Sequence, residues 1–288
     1  MTGPTPQRDM TVLDLDELDS IVAGQPYPLI FATVSGAHLY GFPSRDSDID
    51  LRGVHVLPAA EVVGLWHGPE TVDRSWSERG AEIDLVTHDA QKFFRLLLRR
   101  NGYVLEQLLS PLVVSSSPEH GELVALAPAC LTSHHAHHYR GFARTQWQLF
   151  SKTGEIKPLL YTFRTLLTGI YLMRSGEVQA NLLALIGQVP EAPDYLGALV
   201  AAKAAGEHLG IGATAGIPPV SVLSDHVAAL HAGLEAAQAS SELPAESCAG
   251  PALHDLLLRL RLDGPRLSAD SGHQDPSSEA GGAVGGAR

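Results

Sequence analysis

The feature that most constrains this chain is a pair of aspartates that follows a buried strand and a glycine. Residues 29–34 are continuously apolar, which is typical of a strand buried on both faces. Gly36 comes next, and Asp48 and Asp50 follow about a dozen residues later. Side chains alternate along a strand, so we expect both carboxylates on one face. Two adjacent carboxylates repel each other, and a hard divalent cation such as Mg²⁺ relieves that repulsion.

A third carboxylate lies on a later predicted strand. Asp84 is framed by apolar residues within 82–87, and we expect that strand to lie beside the strand of Asp48 and Asp50. Three carboxylates that hold two ions about 3.5–4 Å apart form a clamp for in-line phosphoryl or nucleotidyl transfer. The sequence therefore predicts a site for two Mg²⁺ or Mn²⁺ ions, with Asp84 best placed to help deprotonate an attacking hydroxyl.

The glycine at the end of the first strand suits phosphate binding. Gly36 lets the backbone approach a phosphate closely, and a short helix after it offers unpaired N–H groups. Asp46 and Ser47, just before the aspartate pair, are interpreted as turn formers, because such side chains hydrogen-bond their own backbone.

The pattern of apolar residues changes near residue 115, which predicts two domains. Residues 11–116 mix strand and helix patterns, residues 117–262 are almost wholly helical, and 1–10 and 263–288 are predicted tails. We expect a mixed sheet with helices on one side, followed by a helical bundle. The predicted elements of the first half are helix 12–22, strands 29–34, 48–57, 71–76 and 82–87, and helices 90–100 and 104–109. The predicted helices of the second half are 119–127, 134–150, 158–174, 194–209, 220–239 and 252–262.

Residues 34–53 resemble the motif of the DNA polymerase beta-type nucleotidyltransferase superfamily, namely a glycine turn, an Asp-x-Asp strand and a third Asp on a later strand. The closer resemblance is to the RNA-repair-associated predicted nucleotidyltransferases, the RlaP family. It rests on Ser-Gly-x-x-x-Tyr-Gly at 35–41, Asp-Ser-Asp-x-Asp at 46–50, the run 99–108 and Lys-x-x-x-Tyr-x-x-Arg at 157–164. It covers roughly residues 29–175.

The resemblance implies an α+β polymerase-beta-like domain and assigns roles to individual residues. Asp48, Asp50 and Asp84 would be the catalytic metal ligands. The implied nucleotide-binding residues are Ser35, Gly36, Ala37, Tyr40, Arg52, Lys157, Tyr161 and Arg164. The superfamily usually has Gly-Ser at the turn, so Gly36-Ala37 lacks one hydroxyl donor for the triphosphate.

Several of these residues keep a second interpretation. Lys157, Tyr161 and Arg164 share one helical face, where they either contact a triphosphate and a base or form a solvated surface. Arg52 either pairs with a carboxylate, which we expect, or touches a phosphate. The histidines of 134–138 are interpreted as the start of a helix rather than a zinc site, because no third ligand is evident.

The overall charge limits the partners. The 20 Lys and Arg residues are outnumbered by 32 Asp and Glu, and the net charge of −12 makes the chain a poor general polyanion binder. Any nucleic-acid contact must be local. Two cysteines, an N-terminus without an apolar core and no apolar run of about 20 residues predict a soluble, cytoplasmic protein without a membrane partner.

The sequence therefore predicts an enzyme that transfers a nucleoside monophosphate from a nucleoside triphosphate to a hydroxyl acceptor and releases pyrophosphate. The acceptor is an RNA or DNA end or a small molecule. The alternative is a catalytically weak or inactive module that binds a nucleotide or docks a partner, which the missing hydroxyl at Ala37 favours.

Overall fold

The chain folds around a mixed five-stranded sheet. A computed structural model describes residues 13–78, 81–204, 210–211 and 216–265. The strands lie in the order β3-β4-β2-β1-β5. Their bounds are Leu29–Val34 (β1), Ile49–His55 (β2), Thr71–Glu78 (β3), Ala81–Asp89 (β4) and Val113–Ser116 (β5).

The pairing of β2 with β4 brings the two distant acidic segments together. These strands run parallel and pair Asp50 directly with Asp84, whereas β1–β2, β1–β5 and β3–β4 are antiparallel. Residues directly opposite on paired strands project from the same face of the sheet. The expectation that the strand of Asp84 adjoins that of Asp50 is confirmed by this register.

Helices cover both faces of the sheet, so the expectation of helices on one side is wrong. On one face, Leu18 and Val22 of the first helix pack with Val34, Leu51 and Leu85. On the other, Phe31 belongs to a larger apolar cluster that continues into the helical second half. Alternation explains this, because the strands are apolar on both sides and each side must be covered.

The described residues form twelve α-helices. None of these twelve is long and apolar enough to cross a membrane. Those before β5 are Leu15–Ala23 (α1), Gly36–Tyr40 (α2), Ala60–Val63 (α3), Ala90–Leu97 (α4) and Gly102–Leu108 (α5). Those after β5 are Pro118–Cys130 (α6), His135–Thr153 (α7), Ile156–Ser175 (α8), Leu182–Gln188 (α9), Leu196–Lys203 (α10), Val220–Ala239 (α11) and Gly250–Leu262 (α12).

The elements match the sequence pattern best where the pattern is long. The helix expected at 220–239 is confirmed to the residue, whereas α3, β5 and α9 are too short to show a periodicity and are not predicted. The helix expected at 194–209 ends at Lys203, and residues 205–209 lie outside the described part. So do the predicted tail 1–10 and most of 263–288. The division at residue 116 stays a prediction.

Candidate metal and nucleotide site

Asp50 and Asp84 are bridged by one arginine. The Nη2 atom of Arg52 donates to Asp50 Oδ1 at 2.7 Å and to Asp84 Oδ2 at 3.0 Å. Arg52 projects from the same strand as Asp50, two residues on, so it shares the face of both carboxylates. Its Nη1 atom also donates to the carbonyl oxygens of Leu51 and Asp84, at 2.8 Å each. The ion pair expected for Arg52 is therefore present.

Gly36 is fitted against Asp50. Its backbone is left-handed, with φ of 60°, and an added Cβ would lie 1.8 Å from Asp50 Oδ2. The adjacent Ser35 N–H donates to the Asp50 carbonyl at 2.8 Å, which ties the turn to β2. Only glycine meets both demands, the positive φ and the contact with the carboxylate. The glycine turn therefore sets the position of the Asp50 side chain.

Burial and the neighbouring charges act in opposite directions on Asp50. Burial raises the pKa of Asp50, and the charge of Asp84 raises it further. Arg52, Lys157 and His38 lower this pKa without cancelling those effects. Burial alone would lower the pKa of Arg52, but Tyr103 and the two carboxylates outweigh it and the pKa of Arg52 is raised. Asp50 is thus a carboxyl group that a further cation would stabilise in its ionised form.

The carboxylates retain lone pairs for a cation. Asp50 Oδ2 takes no hydrogen bond from any residue that the structure describes. Within the part of the chain that the structure describes, each oxygen of Asp84 accepts one hydrogen bond, Oδ1 from Ser75 Oγ at 2.9 Å and Oδ2 from Arg52 at 3.0 Å. A carboxylate offers about four acceptor positions, so ligation of Mg²⁺ remains open to both groups.

Of the three predicted metal ligands, Asp50 and Asp84 are paired in the sheet, whereas Asp48 is not. Asp48 is exposed and lies immediately before β2 begins at Ile49, outside the paired register of Asp50 and Asp84. Within the described residues, no three His, Cys, Asp or Glu side chains form a group that could hold a metal by themselves. Mg²⁺ is commonly bound through one or two carboxylates together with water and substrate phosphates. Asp50 and Asp84 fit that mode.

A cavity of about 420 Å³ opens beside Asp50 and Gly36. Its wall is mainly aromatic, with Tyr40 and Tyr161 packed edge to face at 5.4 Å between ring centroids. The other aromatic groups of the wall are Tyr103, His138 and Phe142. Burial lowers the pKa of His138 to about 4, so this ring is neutral at pH 7. The cavity has the size and lining of a small-molecule site and the flat surfaces that stack on a base.

Arg164 lines this cavity but already has a partner. Its Nη1 atom donates to Glu106 Oε1 at 2.8 Å, and both side chains are at most 4% exposed. Its guanidinium also stacks on Tyr40, 3.9 Å from the ring centroid. Burial opposes the charge of Arg164, yet Glu106 together with Tyr40 and Tyr161 outweighs that effect, and the pKa of Arg164 is raised. Arg164 therefore shapes the wall as half of a buried ion pair that joins α8 to α5.

Lys157 and the turn residues occupy the other side of the site. Lys157, in the first turn of α8, is close enough to lower the pKa of Asp50. The methyl group of Ala37 packs in the large apolar cluster. The hydroxyl of Ser35 is buried without a hydrogen-bond partner among the described residues. Thus Ala37 adds no polar group to the turn, and the free hydroxyl lies at Ser35.

Sequence reasoning missed several residues that complete the site. Ser75 faces Asp84 because β3 pairs with β4 in that register, and only the hairpin alignment reveals it. No sequence pattern indicates a role for Tyr103 at the site, yet its hydroxyl accepts a hydrogen bond from Arg52 Nε at 3.1 Å. His38 and His138 were also missed, although His138 belongs to the histidine cluster. That cluster starts α7 as expected, with His134 at the N-cap.

Comparison with known proteins finds one matching family model and similar curated relatives. The model of the RlaP family, described as the RNA repair pathway DNA polymerase beta family, matches residues 10–259. Uncharacterized protein MJ0002 of Methanocaldococcus jannaschii is 32% identical over 154 residues, which cover 53% of this chain and 63% of that protein. Uncharacterized protein YcgL of Bacillus subtilis is 26% identical over 205 residues, 68% of this chain and 77% of that one.

Among solved structures, the chain is similar to a nucleotidyltransferase-like protein from Exiguobacterium sibiricum. The TM-score is 0.31 and the identity 14%, over 78% of this chain and 73% of the other. The chain spans less than two thirds of MJ0002, at 63% of its length. The family match extends over most of the sequence and includes the glycine turn, both aspartate strands and α8. The chain belongs to the RNA repair pathway DNA polymerase beta family.

Proposed function

We propose that this chain is a metal-dependent nucleotidyltransferase that moves a nucleoside monophosphate from a nucleoside triphosphate to a hydroxyl acceptor. The observation that carries the proposal is the direct register of Asp50 and Asp84 on two parallel strands. They lie beside a glycine whose backbone touches Asp50 and a cavity with an aromatic wall. Nucleotidyl transfer uses carboxylates that hold metal ions, a backbone that the phosphates can approach closely, and surfaces on which the base stacks.

Each part has a role in binding. Tyr161 and Phe142 offer stacking surfaces for the base. The backbone at Gly36 lets the triphosphate approach closely, and Lys157 adds positive charge on that side. Asp50 and Asp84, with Asp48 from the preceding loop, would hold Mg²⁺ or Mn²⁺. When bound, such ions lower the pKa of the acceptor hydroxyl and neutralise the triphosphate.

The transfer step uses Asp84 as a proton acceptor. The acceptor oxygen forms a bond to the α-phosphorus, while the bond from that phosphorus to the bridging oxygen breaks and pyrophosphate leaves. The hydroxyl proton passes to a carboxylate oxygen of Asp84. Ser75 and Arg52 fix the orientation of that carboxylate through their hydrogen bonds, which keeps its acceptor lone pairs in place.

A second function has its own support. Arg52 bridges both carboxylates, which is how a site without a metal neutralises them, and Ala37 lacks a hydroxyl. These features favour a weakly active or inactive module that binds a nucleotide or docks a partner.

The experiment that separates the two is transfer of label from each α-labelled nucleoside triphosphate, with Mg²⁺ or Mn²⁺, to a panel of RNA, DNA and small-molecule acceptors. We expect incorporation by the wild type and a loss of at least 100-fold in Asp50→Asn and in Asp84→Asn. Asp73→Asn, on the exposed part of β3, is the matched control and keeps wild-type incorporation. No incorporation by the wild type, with nucleotide binding intact, would favour the inactive module.

A further inference from the structure

A second and larger cavity lies next to the aromatic one. It encloses about 930 Å³ between the end of α4, the junction of α6 with α7, and the segment that leads into α12. Arg99, Arg100, His134 and His135 line one side, and Glu246 and Ser247 line the other. We refer to it as the basic groove.

The two arginine side chains of the basic groove have no hydrogen-bond or ion-pair partner among the described residues. The side chains of Arg99 and Arg100 are exposed, and neither makes a hydrogen bond or an ion pair with any residue that the structure describes. Other arginines of the chain do have carboxylate partners, as in the pairs Arg174–Glu191 and Arg140–Glu235. In a chain with a net charge of −12, two adjacent unpaired guanidinium groups form a local site for an anion.

His135 adds a ring nitrogen without a partner at the floor of the groove. Its side chain is 1% exposed, and its Nδ1 atom lies 3.2 Å from the N–H of Thr132 and 3.1 Å from the carbonyl oxygen of the same residue. Nε2 is therefore a donor in one tautomer and an acceptor in the other. In both it is buried and has no hydrogen-bond partner among the described residues. A phosphate oxygen or a sugar hydroxyl in the groove would supply that partner.

We propose that the basic groove binds the phosphodiester backbone of a single-stranded nucleic-acid acceptor. Arg99 and Arg100 contact its phosphates, and Nε2 of His135 hydrogen-bonds to a phosphate oxygen or a sugar hydroxyl. The groove is large enough for more than a single ion, and it is open, as a strand requires. This inference rests on the proposed function and narrows the acceptor from any hydroxyl compound to a polynucleotide end.

The position of the groove supports this role. Arg100 lines the groove and the next residue, Asn101, lines the aromatic cavity. His135 and His138 lie one turn apart on α7, and His135 lines the groove while His138 lines the aromatic cavity. The cavities therefore share a wall, and a strand in the groove has its end close to the nucleotide site.

The test is binding of fluorescein-labelled RNA and DNA single strands, measured by anisotropy without metal or nucleotide over a series of salt concentrations. For Arg99→Ala/Arg100→Ala we expect at least tenfold weaker binding and a salt-dependence slope that is lower by about 1.4, from the loss of two phosphate contacts. His135→Phe weakens binding severalfold. Arg174→Ala/Arg259→Ala removes the same charge from two ion-paired surface arginines and keeps wild-type affinity.

The outcomes separate the groove from the proposed function. Equal strand binding by the wild type and by Arg99→Ala/Arg100→Ala would overturn the groove, and so would competition by inorganic phosphate as effective as by the strand. Strand binding should be unchanged in Asp50→Asn/Asp84→Asn, and nucleotide binding should be unchanged in Arg99→Ala/Arg100→Ala. Absence of transfer with strand binding retained would overturn the proposed function while leaving the groove in place.

Discussion

Among the glycines that the structure describes, Gly36 is the one at which an added Cβ would come closest to a neighbouring atom. We predict that Gly36→Ala displaces the Asp50 carboxylate, because the new Cβ would overlap Asp50 Oδ2. The left-handed backbone adds about 1–2 kcal/mol of strain. The thermal shift produced by Mg²⁺ with a nucleoside triphosphate should be lost in this variant.

Gly154→Ala is the matched control for that substitution. Gly154 has φ of 68°, close to that of Gly36, but a Cβ there would meet nothing within 4 Å. It should show a similar loss of thermal stability and keep the ligand-induced shift. If both variants keep the shift, contact between Gly36 and Asp50 does not organise the site.

Asp50 is predicted to reduce the stability of the metal-free protein. Its pKa in the folded state is raised above 3.8, so the folded state binds a proton more tightly than the unfolded state does. Ionised Asp50 therefore lowers the free energy of unfolding as the pH rises above 3.8. We expect Asp50→Asn to be more stable than the wild type at pH 7 and equally stable near pH 3, as measured by urea unfolding without metal.

The opposite ranking at pH 7 would show that the ion pair with Arg52 dominates at Asp50. Addition of Mg²⁺ provides the internal check, since it should stabilise the wild type and leave Asp50→Asn unaffected. A substitution that lowers activity but raises stability is typical of a residue that serves function at a cost in stability.

At this scale the sequence predicts that Arg52 pairs with a carboxylate, but not that it contacts two carboxylates at once. Asp50 and Asp84 were expected to meet because both lie on strands framed by apolar residues. The double contact of Arg52 depends on the strand register, which side-chain alternation alone does not determine. Likewise the pairing of Arg164 with Glu106 joins residues 58 positions apart, and no local pattern indicates it.

Between elements, a buried ion pair at the site joins α8 to α5. We predict that Arg164→Met destabilises the protein by about 3–5 kcal/mol, because Glu106 is left buried and charged. Arg164→Met/Glu106→Leu should recover most of this loss, as urea unfolding would show. If Arg164→Met instead retains stability and weakens only nucleotide binding, Arg164 acts as a phosphate ligand.

The elements themselves were predictable to the extent that their apolar pattern is long. Buried strands β1, β2 and β4 and the helix α11 follow from periodicity. The position of β5 beside β1, and the helices on both faces of the sheet, result from packing between distant segments. Apolar periodicity by itself does not indicate which distant segments meet.

In the molecule as a whole, α12, the last helix of the described residues, is joined to the sheet by a partly buried arginine. Arg261 of α12 pairs with Asp89 at the end of β4, and it also donates to the carbonyl of Leu57 at 2.6 Å. We predict that Arg261→Ala lowers the free energy of unfolding by about 3 kcal/mol, because Asp89 stays buried. Urea unfolding measures this loss.

Arg259→Ala, two residues away, is the control for that prediction. Arg259 pairs with Glu122 on the surface, where solvent screens the interaction, so its loss should have little effect. Equal effects of the two substitutions would mean that α12 is not held through Asp89.

The proposed function depends on Asp50 and Asp84 together binding the metal that supports nucleotidyl transfer. A crystal structure with Mn²⁺ and a non-hydrolysable nucleoside triphosphate, with anomalous data collected for manganese, tests this. We expect a manganese peak in contact with both carboxylates and with the phosphates, and the base against Tyr161. A bound nucleotide with Arg52 still bridging the two carboxylates, and manganese absent from them, would contradict it.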